Sequence, residues 1–253
     1  MSPHDMPRFS IALPTRDRPK LLKIAVQTLL RQTFQDWELV LSDKSTNEDT
    51  RAMVVEFDDP RIRYFRADDL SMCDNWEFAC SHARGEYICV LEDKQAFKFH
   101  ALERINQVIH ERKPEVIRWQ WDTLDPYGLG NRVRRNGARG GVRTVTADKC
   151  LEALVDGSYM EAKHQLPIAH YSAVHRDVLK RIRAGAIGRL FPPVSPDYTL
   201  ALQILNFSEE VTYIHEGLVC FSDTSASNGL SIRMKATLGN SFAKSLGGDH
   251  VFY

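Results

Sequence analysis

The chain has 253 residues, with 33 Lys and Arg balancing 33 Asp and Glu, so its formal net charge is zero. This balance argues against a nucleic-acid binder, which usually carries a basic excess, and against an acidic disordered chain. No apolar run approaches the roughly 18 residues of a membrane-spanning helix, and residues 1–8 lack the apolar core of a signal peptide. We therefore expect a cytoplasmic protein without a transmembrane segment.

Five cysteines occur, and no C-x-x-C pair is among them. An odd number of cysteines without paired spacing predicts reduced, buried thiols and argues against a disulfide framework or a zinc site.

Strand-like and helical patterns alternate through the first half of the chain. Five strands are predicted, at Phe9–Leu13, Trp37–Leu41, Arg61–Phe65, Glu86–Leu91 and Glu115–Trp121. Four helices are predicted between them, at Pro19–Leu30, Asn47–Phe57, Ser71–Ala83 and Phe99–Glu111. This alternation indicates an α/β fold with a mostly parallel central sheet flanked by helices.

The pattern changes at Asp125–Gly141, a stretch rich in Gly, Asn and Arg, of a length typical of functional or mobile loops. Beyond it, helices are predicted at Ala147–Val155, Arg176–Ala184 and Pro196–Leu205, and short strands at Val211–Ile214 and Leu218–Phe221. The tail that follows is weakly patterned.

Polar residues follow three of the predicted strands. They are residues 14–18 (PTRDR) after the first strand, 42–45 (SDKS) after the second and 92–95 (EDKQ) after the fourth. Open parallel sheets bind ligands beyond the carboxyl ends of their strands. An isolated Asp or Thr usually marks a turn, but three such segments at one edge predict a site. No Gly-rich dinucleotide fingerprint or P-loop occurs, which argues against those phosphate sites.

Several segments carry a family resemblance when they are taken in order. Residues 9–19 (FSIALPTRDRP) and 30–40 (LRQTFQDWELV) are followed by Asn75-Trp76, by residues 83–88 (ARGEYI) and by residues 195–198 (SPDY). Together these segments resemble the motifs of family-2 glycosyltransferases, which have the GT-A fold. The resemblance covers most of residues 9–105 and returns near 170–205.

The resemblance implies a nucleotide-diphosphate sugar as donor, with a UDP-sugar as the expected form. It implies that residues 1–122 bind the donor, that the smaller region 123–224 binds the acceptor and holds the catalytic base, and that 225–253 are a tail. The donor-binding residues that it implies are Pro14, Thr15, Arg16, Asp17, Arg18, Asp43, Asn75, Arg84, Asp93 and Lys94. Asp43 would accept a hydrogen bond from the base or ribose, as a carboxylate does well; the alternative is an ordinary turn acid.

The chain departs from the family after the fourth strand. The family carries a D-x-D motif there, whose acids hold Mn²⁺ or Mg²⁺ against the diphosphate. A hard cation stabilises the charge that develops on the leaving group. This chain has Glu92-Asp93-Lys94-Gln95, so in either register the second acid is replaced, by Lys94 or by Gln95.

Three consequences stay open. Asp93 could hold a metal with help from Gln95 or Glu92, since Mg²⁺ often needs only one or two protein carboxylates. Lys94 could instead supply the positive charge, or it could simply pair with Glu92 or Asp93. The site could also be inactive. The departure favours weak or absent metal dependence.

The resemblance places a catalytic base at Asp197. An inverting transfer needs one carboxylate to take the proton of the acceptor hydroxyl. Ser195-Pro196-Asp197 is also typical of a helix start, whose dipole would keep the acid ionised. Acceptor contacts are expected from His170, Tyr171 and Trp119, since aromatic faces suit sugar C–H surfaces, although most aromatic residues simply pack.

The leading hypothesis is an inverting glycosyltransferase that acts on a glycan, a lipid-linked molecule or a small acceptor, either free in the cytoplasm or at the cytoplasmic membrane face. The alternative is a non-catalytic GT-A domain that binds a nucleotide sugar. A nucleotidyltransferase-like enzyme is a third reading, but Pro14–Pro19 contains no glycine for a phosphate loop.

Overall fold

The computed structural model describes residues 6–67, 69–124, 133–135, 141–156, 165–193 and 195–222. Within them one sheet contains β1 Phe9–Thr15, β2 Trp37–Asp43, β3 Ile62–Arg66, β4 Tyr87–Val90, β5 Gln95–Phe97, β6 Val116–Leu124, β7 Val133–Arg134, β8 Val142–Thr146, β9 Ser172–His175 and β10 Glu210–Ser222. The helices are α1 Pro19–Leu30, α2 Asp49–Val55, α3 Met72–Ser81, α4 Ala101–Arg112, α5 Ala147–Val155, α6 Arg176–Ala184 and α7 Pro196–Phe207.

The first half of the sheet is parallel, in the order β3-β2-β1-β4. Every residue of β1, β2 and β4 is buried, as expected for parallel strands covered by helices on both faces. Helix α1 supplies part of that cover through Leu22, Ala25, Val26 and Leu29, the residues on its apolar face. The predicted α/β fold with a central sheet flanked by helices is confirmed.

The second half of the sheet is mixed. Beyond β4 the order continues β9-β6-β10-β5, in which only the β6/β10 pair is parallel. Strands β5, β8 and β9 were not predicted from the sequence, because each has only three to five residues and pairs with a strand distant along the chain. Mixed pairing lets one continuous sheet run through both halves of the chain.

The two predicted strands at Val211–Ile214 and Leu218–Phe221 are one strand, β10. The register against β6 shifts on both sides of Gly217, which is a β-bulge. A Cβ at Gly217 would lie 2.4 Å from Oδ1 of Asp122, so the bulge requires a residue without a side chain. The strand pattern in the sequence is interrupted at this bulge, and for this reason two short strands were predicted instead of one.

Some predictions fall outside the described residues. These are most of the Asp125–Gly141 loop and the whole 225–253 tail. Among the helices that are described, none is both long and apolar enough to cross a membrane.

Gly85 permits a close approach between the turn before β4 and the start of β1. A Cβ at this position would lie 2.5 Å from the backbone nitrogen of Ser10 and 2.8 Å from the carbonyl carbon of Phe9. These are backbone atoms of a buried strand, so they cannot move aside cheaply. We expect Gly85→Ala to lower the free energy of unfolding by about 1–3 kcal/mol, the usual range for overpacking, measured by urea denaturation.

The matched control is Gly141→Ala. Its added methyl group would lie 3.8 Å from the nearest atoms, which belong to His215, so stability should change little. If Gly85→Ala were as stable as this control, the close approach would not constrain the fold.

Candidate active site

The three polar segments predicted after the strands meet at one edge of the sheet. In the parallel register Thr15, the last residue of β1, lies beside Asp43, the last residue of β2. The Oγ1 hydroxyl of Thr15 also donates a hydrogen bond of 2.9 Å to Oδ2 of Asp93, which follows β4. The carboxyl ends of β1, β2 and β4 therefore gather Thr15, Asp43 and Asp93, as the sequence predicted.

Asp93 lies at the centre of this edge and is 4% exposed. Its Oδ1 pairs with Nη1 of Arg18 at 3.2 Å, while its Oδ2 accepts from Thr15. Burial raises the pKa of the Asp93 carboxyl, and the Arg18 charge and the Thr15 hydroxyl oppose that rise. Both carboxylate oxygens are thus engaged by residues of the β1–α1 connection.

The rest of the 92–95 turn is also internally paired. Nζ of Lys94 lies 3.7 Å from Oε2 of Glu92 and 4.9 Å from the centre of the Phe221 ring, so Lys94 pairs with an acid of its own turn. Oε1 of Gln95 accepts a hydrogen bond from the backbone N–H of Glu92 at 3.1 Å. Gln95 therefore closes its own turn, and its role as a metal ligand stays a prediction.

The family's divalent cation does not fit these residues. Even an ion that needs only one or two protein carboxylates beside the phosphates would have to compete with Thr15 and Arg18 for Asp93, whose two oxygens both have partners within the protein. Over the described ranges, no group of three or more His, Cys, Asp and Glu side chains could hold a metal ion.

Asp17 ties the first polar segment to the second. Its backbone has a positive φ of 53°, and its N–H donates to Oγ of Ser45 at 2.8 Å. Its Oδ1 accepts from the backbone N–H and the hydroxyl of Thr46 at 2.7 and 2.9 Å. Burial acts to raise the pKa of Asp17, but the Thr46 hydrogen bonds and the Arg16 charge together lower it. Asp17 thus shapes the edge, while the Arg16 side chain is 59% exposed at its rim.

Asp43 supports the second segment from inside the protein. It is fully buried: Oδ1 accepts from the backbone N–H of Ser45 at 2.9 Å, and Oδ2 accepts from the hydroxyl of Tyr64 at 2.8 Å. Arg66 lies 3.5 Å from the same carboxylate. Burial, followed by the Asp43 hydrogen bond, raises the pKa of Tyr64 to about 12. Both carboxylate oxygens are thus engaged within the protein, and the contact of Asp43 with the base or ribose stays a prediction.

Asn75 has a similar supporting position. It is buried on α3, where its Oδ1 accepts from the Ser42 hydroxyl. Its Nδ2 donates long hydrogen bonds to the carbonyls of Thr15 and Ser42, at 3.5 and 3.4 Å. Asn75 therefore fixes the ends of β1 and β2 beneath the edge. Pro14 is likewise buried, within β1.

Two predicted site residues do not lie at this edge. The backbone N–H of Arg84 donates to Ser10 and Glu38, at the amino ends of β1 and β2, so Arg84 belongs to the opposite edge. Trp119 is fully buried within β6 and its ring lies 6.3 Å from that of Phe97. A core tryptophan cannot contact an acceptor, so both assignments are corrected.

Asp197 belongs to the second half of the chain and lies near enough to the 92–95 turn for the charge of Glu92 to act on it. It lies in the first turn of α7, which Ser195 and Pro196 begin. Burial raises the pKa of the Asp197 carboxyl, while the charges of His170 and Glu92 act in opposite directions on it. The backbone hydrogen bonds of the helix start lower the pKa, as predicted, but burial outweighs them. Asp197 thus lies within electrostatic range of both His170 and Glu92.

Tyr171 lies near both Glu92, in the first half of the chain, and Asp197, in the second half. It ends the short 3₁₀ turn Ala169–Tyr171 and stacks on Trp121, with ring centres 4.4 Å apart and an angle of 15°. Burial raises the pKa of its hydroxyl, and the nearby carboxylates of Glu92 and Asp197 raise it further. Tyr171 therefore contributes mainly a packed surface, and His170 beside it is the more exposed of the two.

Tyr64 and Arg66 were not identified from the sequence. Tyr64 and Arg66 alternate along β3, and side chains two residues apart share a face of a strand. That spacing, close to the carboxyl end of a strand next to β2, is the signal that could have placed both beside Asp43. Trp121 follows Trp119 at the same spacing and lies nearer the carboxyl end of β6.

Comparison with known proteins identifies a family. Residues 10–139 match the family model described as "Glycosyl transferase family 2". The match begins in β1 and includes the 92–95 turn.

Two curated relatives share part of this region. The GalNAc(5)-diNAcBac-PP-undecaprenol beta-1,3-glucosyltransferase of Campylobacter jejuni is 31% identical over 116 residues, which cover 44% of this chain and 38% of that protein. The UDP-Glc:alpha-D-GlcNAc-diphosphoundecaprenol beta-1,3-glucosyltransferase WfgD of Escherichia coli is 26% identical over 95 residues, which cover 37% of this chain and 38% of that protein. The matched region thus spans less than two fifths of either relative.

A solved structure shares the fold over nearly the whole chain. It is the crystal structure of S. aureus TarS 1–349 in complex with UDP-GlcNAc, with a TM-score of 0.67 and 13% sequence identity. The similarity covers 96% of this chain and 67% of that one.

The hydrogen bond between Tyr64 and Asp43 should be a measurable source of stability. Tyr64→Phe leaves a buried carboxylate oxygen without its hydroxyl donor, so the free energy of unfolding should fall by about 1–3 kcal/mol, measured by urea denaturation. The same substitution in an Asp43→Asn background should cost less, because the charge is gone. Equal losses in the two backgrounds would contradict the assignment.

The raised pKa of Asp197 predicts a stability cost at neutral pH. When the folded pKa lies above the unfolded one, the group's stabilising contribution is complete below the unfolded pKa and is lost as pH rises through the folded pKa. Asp197→Asn removes the ionisation, so the variant should unfold at higher urea concentration than the wild type at pH 7. The difference should shrink as pH falls toward 3.8, the ordinary Asp value.

Asp177→Asn is the control for this comparison. Asp177 also lies in the first turn of a helix, but its pKa is lowered, chiefly by the hydrogen bond from Lys180. This variant should gain no stability at pH 7. A gain in both variants would show that the burial of Asp197 is not the cause.

Proposed function

Because the chain belongs to glycosyl transferase family 2, we propose that it is an inverting glycosyltransferase that uses a UDP-sugar and acts on a lipid-linked glycan. The observation that carries this proposal is the position of Asp197. The Asp197 carboxyl, whose pKa is raised by burial, lies in the first turn of α7 within electrostatic range of Glu92 in the 92–95 turn and of His170. A single base opposite a donor site is what an inverting displacement requires.

The proposed reaction is one displacement at the anomeric carbon. The acceptor hydroxyl attacks that carbon on the face opposite the nucleotide, and Asp197 takes its proton. The bond from the carbon to the diphosphate oxygen breaks, and its electron pair stays on the diphosphate. The configuration therefore inverts, and no protein nucleophile takes part. Burial raises the pKa of Asp197, and a carboxylate with a raised pKa is a stronger base.

The choice of donor is supported by the edge and by the fold. The β1–α1 connection presents Arg16 and Arg18, two guanidinium groups that suit phosphate oxygens. The TarS structure with the same fold was solved with UDP-GlcNAc. A UDP-sugar is therefore the first donor to test, and His170 the first residue to examine for contact with the acceptor.

The choice of acceptor is supported by the relatives. Both curated names describe transfer to a sugar on an undecaprenyl diphosphate. A lipid-linked acceptor would place the reaction at the cytoplasmic membrane face, with the protein bound peripherally. Glycans and small molecules remain to be tested as acceptors beside it.

A second candidate function is nucleotide-sugar binding without transfer. The specific observation that favours it is the internal pairing of the 92–95 turn, where Glu92 and Asp93 each have a cationic partner. A protein of this kind would bind the donor with Asp197 intact and still show no turnover.

Asp197→Asn tests the proposed role of the base. The substitution keeps the size of the side chain and removes its basicity, so turnover should fall by about 10²–10⁴-fold, the usual contribution of a general base. Donor affinity should change less than about twofold, because a general base acts on the acceptor. Turnover is measured as UDP release with an undecaprenyl-diphosphate glycan, and affinity by calorimetry.

Asp177→Asn, on α6, should keep wild-type turnover in the same assays. Comparable rates in the Asp197 variant would remove Asp197 as the base. Donor binding by the wild type without UDP release, across glycan, lipid-linked and small acceptors, would favour the binding-only function.

A further inference from the structure

Each acid of the 92–95 turn has a cationic partner of its own. Arg18 pairs with Asp93 at 3.2 Å, and Lys94 with Glu92 at 3.7 Å. In the first pair the carboxylate side chain is 5% exposed and the guanidinium side chain is 23% exposed. The group that a ligand at this edge can reach is therefore the cation rather than the acid.

Arg18 is held in place by local structure as well as by Asp93. It precedes Pro19, the first residue of α1, and its carbonyl accepts from the N–H of Leu22 at 3.0 Å. The buried face of α1, which includes Leu22, packs against the sheet core. The Thr15 hydroxyl fixes the other oxygen of Asp93. The guanidinium is thus positioned before any ligand arrives, which lowers the entropy lost on binding.

A divalent cation would have to displace this arrangement. It would need the oxygens that Asp93 gives to Arg18 and Thr15, and it would enter beside two positive side chains. Repulsion between like charges and the loss of a buried ion pair both oppose that exchange. A guanidinium carries five N–H donors in a planar fork that suits phosphate oxygens, so it can contact a phosphate while it stays paired with Asp93.

We infer that the donor diphosphate is bound without a metal ion and that Arg18, positioned by Asp93, takes the charge that develops on it. This inference rests on the proposed function. As the acceptor oxygen bonds to the anomeric carbon, the bond from that carbon to the β-phosphate oxygen breaks. Its electron pair passes to that oxygen beside Arg18, and the acceptor proton passes to Asp197. Arg18 supplies the positive charge that a metal supplies in the family.

The first test measures nucleotide binding with and without metal. UDP, GDP, CDP and dTDP are titrated into the whole protein by calorimetry, once in EDTA and once in Mn²⁺. The nucleotide that binds should do so with the same Kd, within about twofold, in both conditions. Binding that needs Mn²⁺ by tenfold or more would overturn the inference and leave the proposed function standing. No binding of any nucleotide in either condition would overturn both.

The second test separates a phosphate contact from a structural role. Arg18→Gln should weaken binding of the nucleoside diphosphate on the order of 10- to 100-fold, the scale of a lost charge-assisted hydrogen bond. Binding of the matching nucleoside, which has no phosphate, should stay unchanged. Arg18→Lys should recover part of the lost affinity, because it restores the charge without the fork.

Arg51→Gln is the matched control. Arg51 is a surface arginine on α2, 3.7 Å from Glu48, and its variant should bind both ligands as the wild type does. If Arg18→Gln weakened the nucleoside and its diphosphate equally, Arg18 would only shape the loop and the inference would fail. Full diphosphate affinity in that variant would overturn it as well.

Discussion

The buried carboxylate of Asp93 joins the parts of the molecule on which the site depends. Its two oxygens bind Thr15 at the end of β1 and Arg18 at the start of α1, while its backbone belongs to the turn that leaves β4. These bonds satisfy a charge that burial would otherwise make costly. The same bonds fix the β1–α1 connection, which in turn holds Asp17 against the second polar segment. The Asp93 carboxylate thus holds the connections that follow β1 and β4 in fixed positions at the carboxyl ends of these strands.

Two further acids at this edge hold its loops together. Asp43 stabilises its turn through Ser45 and Tyr64, and Asp17 joins two loops through Thr46. Asp197 differs, because burial raises its pKa despite the backbone hydrogen bonds of the helix start.

The sequence predicted the elements and the edge where they meet, and it erred on individual side chains. Lys94 was expected to have Glu92 among its potential partners, and the structure contains that pair. Arg84 was assigned to the site from its position in a motif, although that motif precedes β4 and so lies at the opposite edge. Trp119 was assigned from its residue type, which suits both a sugar contact and a core position. Its place in the middle of β6, rather than at the end, decides between them.

The sequence by itself determined the helices, the strands of the parallel half of the sheet and the ends at which those strands come together. Periodicities of 2 and 3.6 residues report the buried face of a strand or helix, and parallel connections place all carboxyl ends at one edge. Only the tertiary structure decided which charges neutralise each other there. Thr15 and Asp93 are 78 residues apart, and Asp43 and Tyr64 are 21 apart. Contacts at such separations depend on strand register and side-chain packing across the sheet, about which a local pattern carries no information.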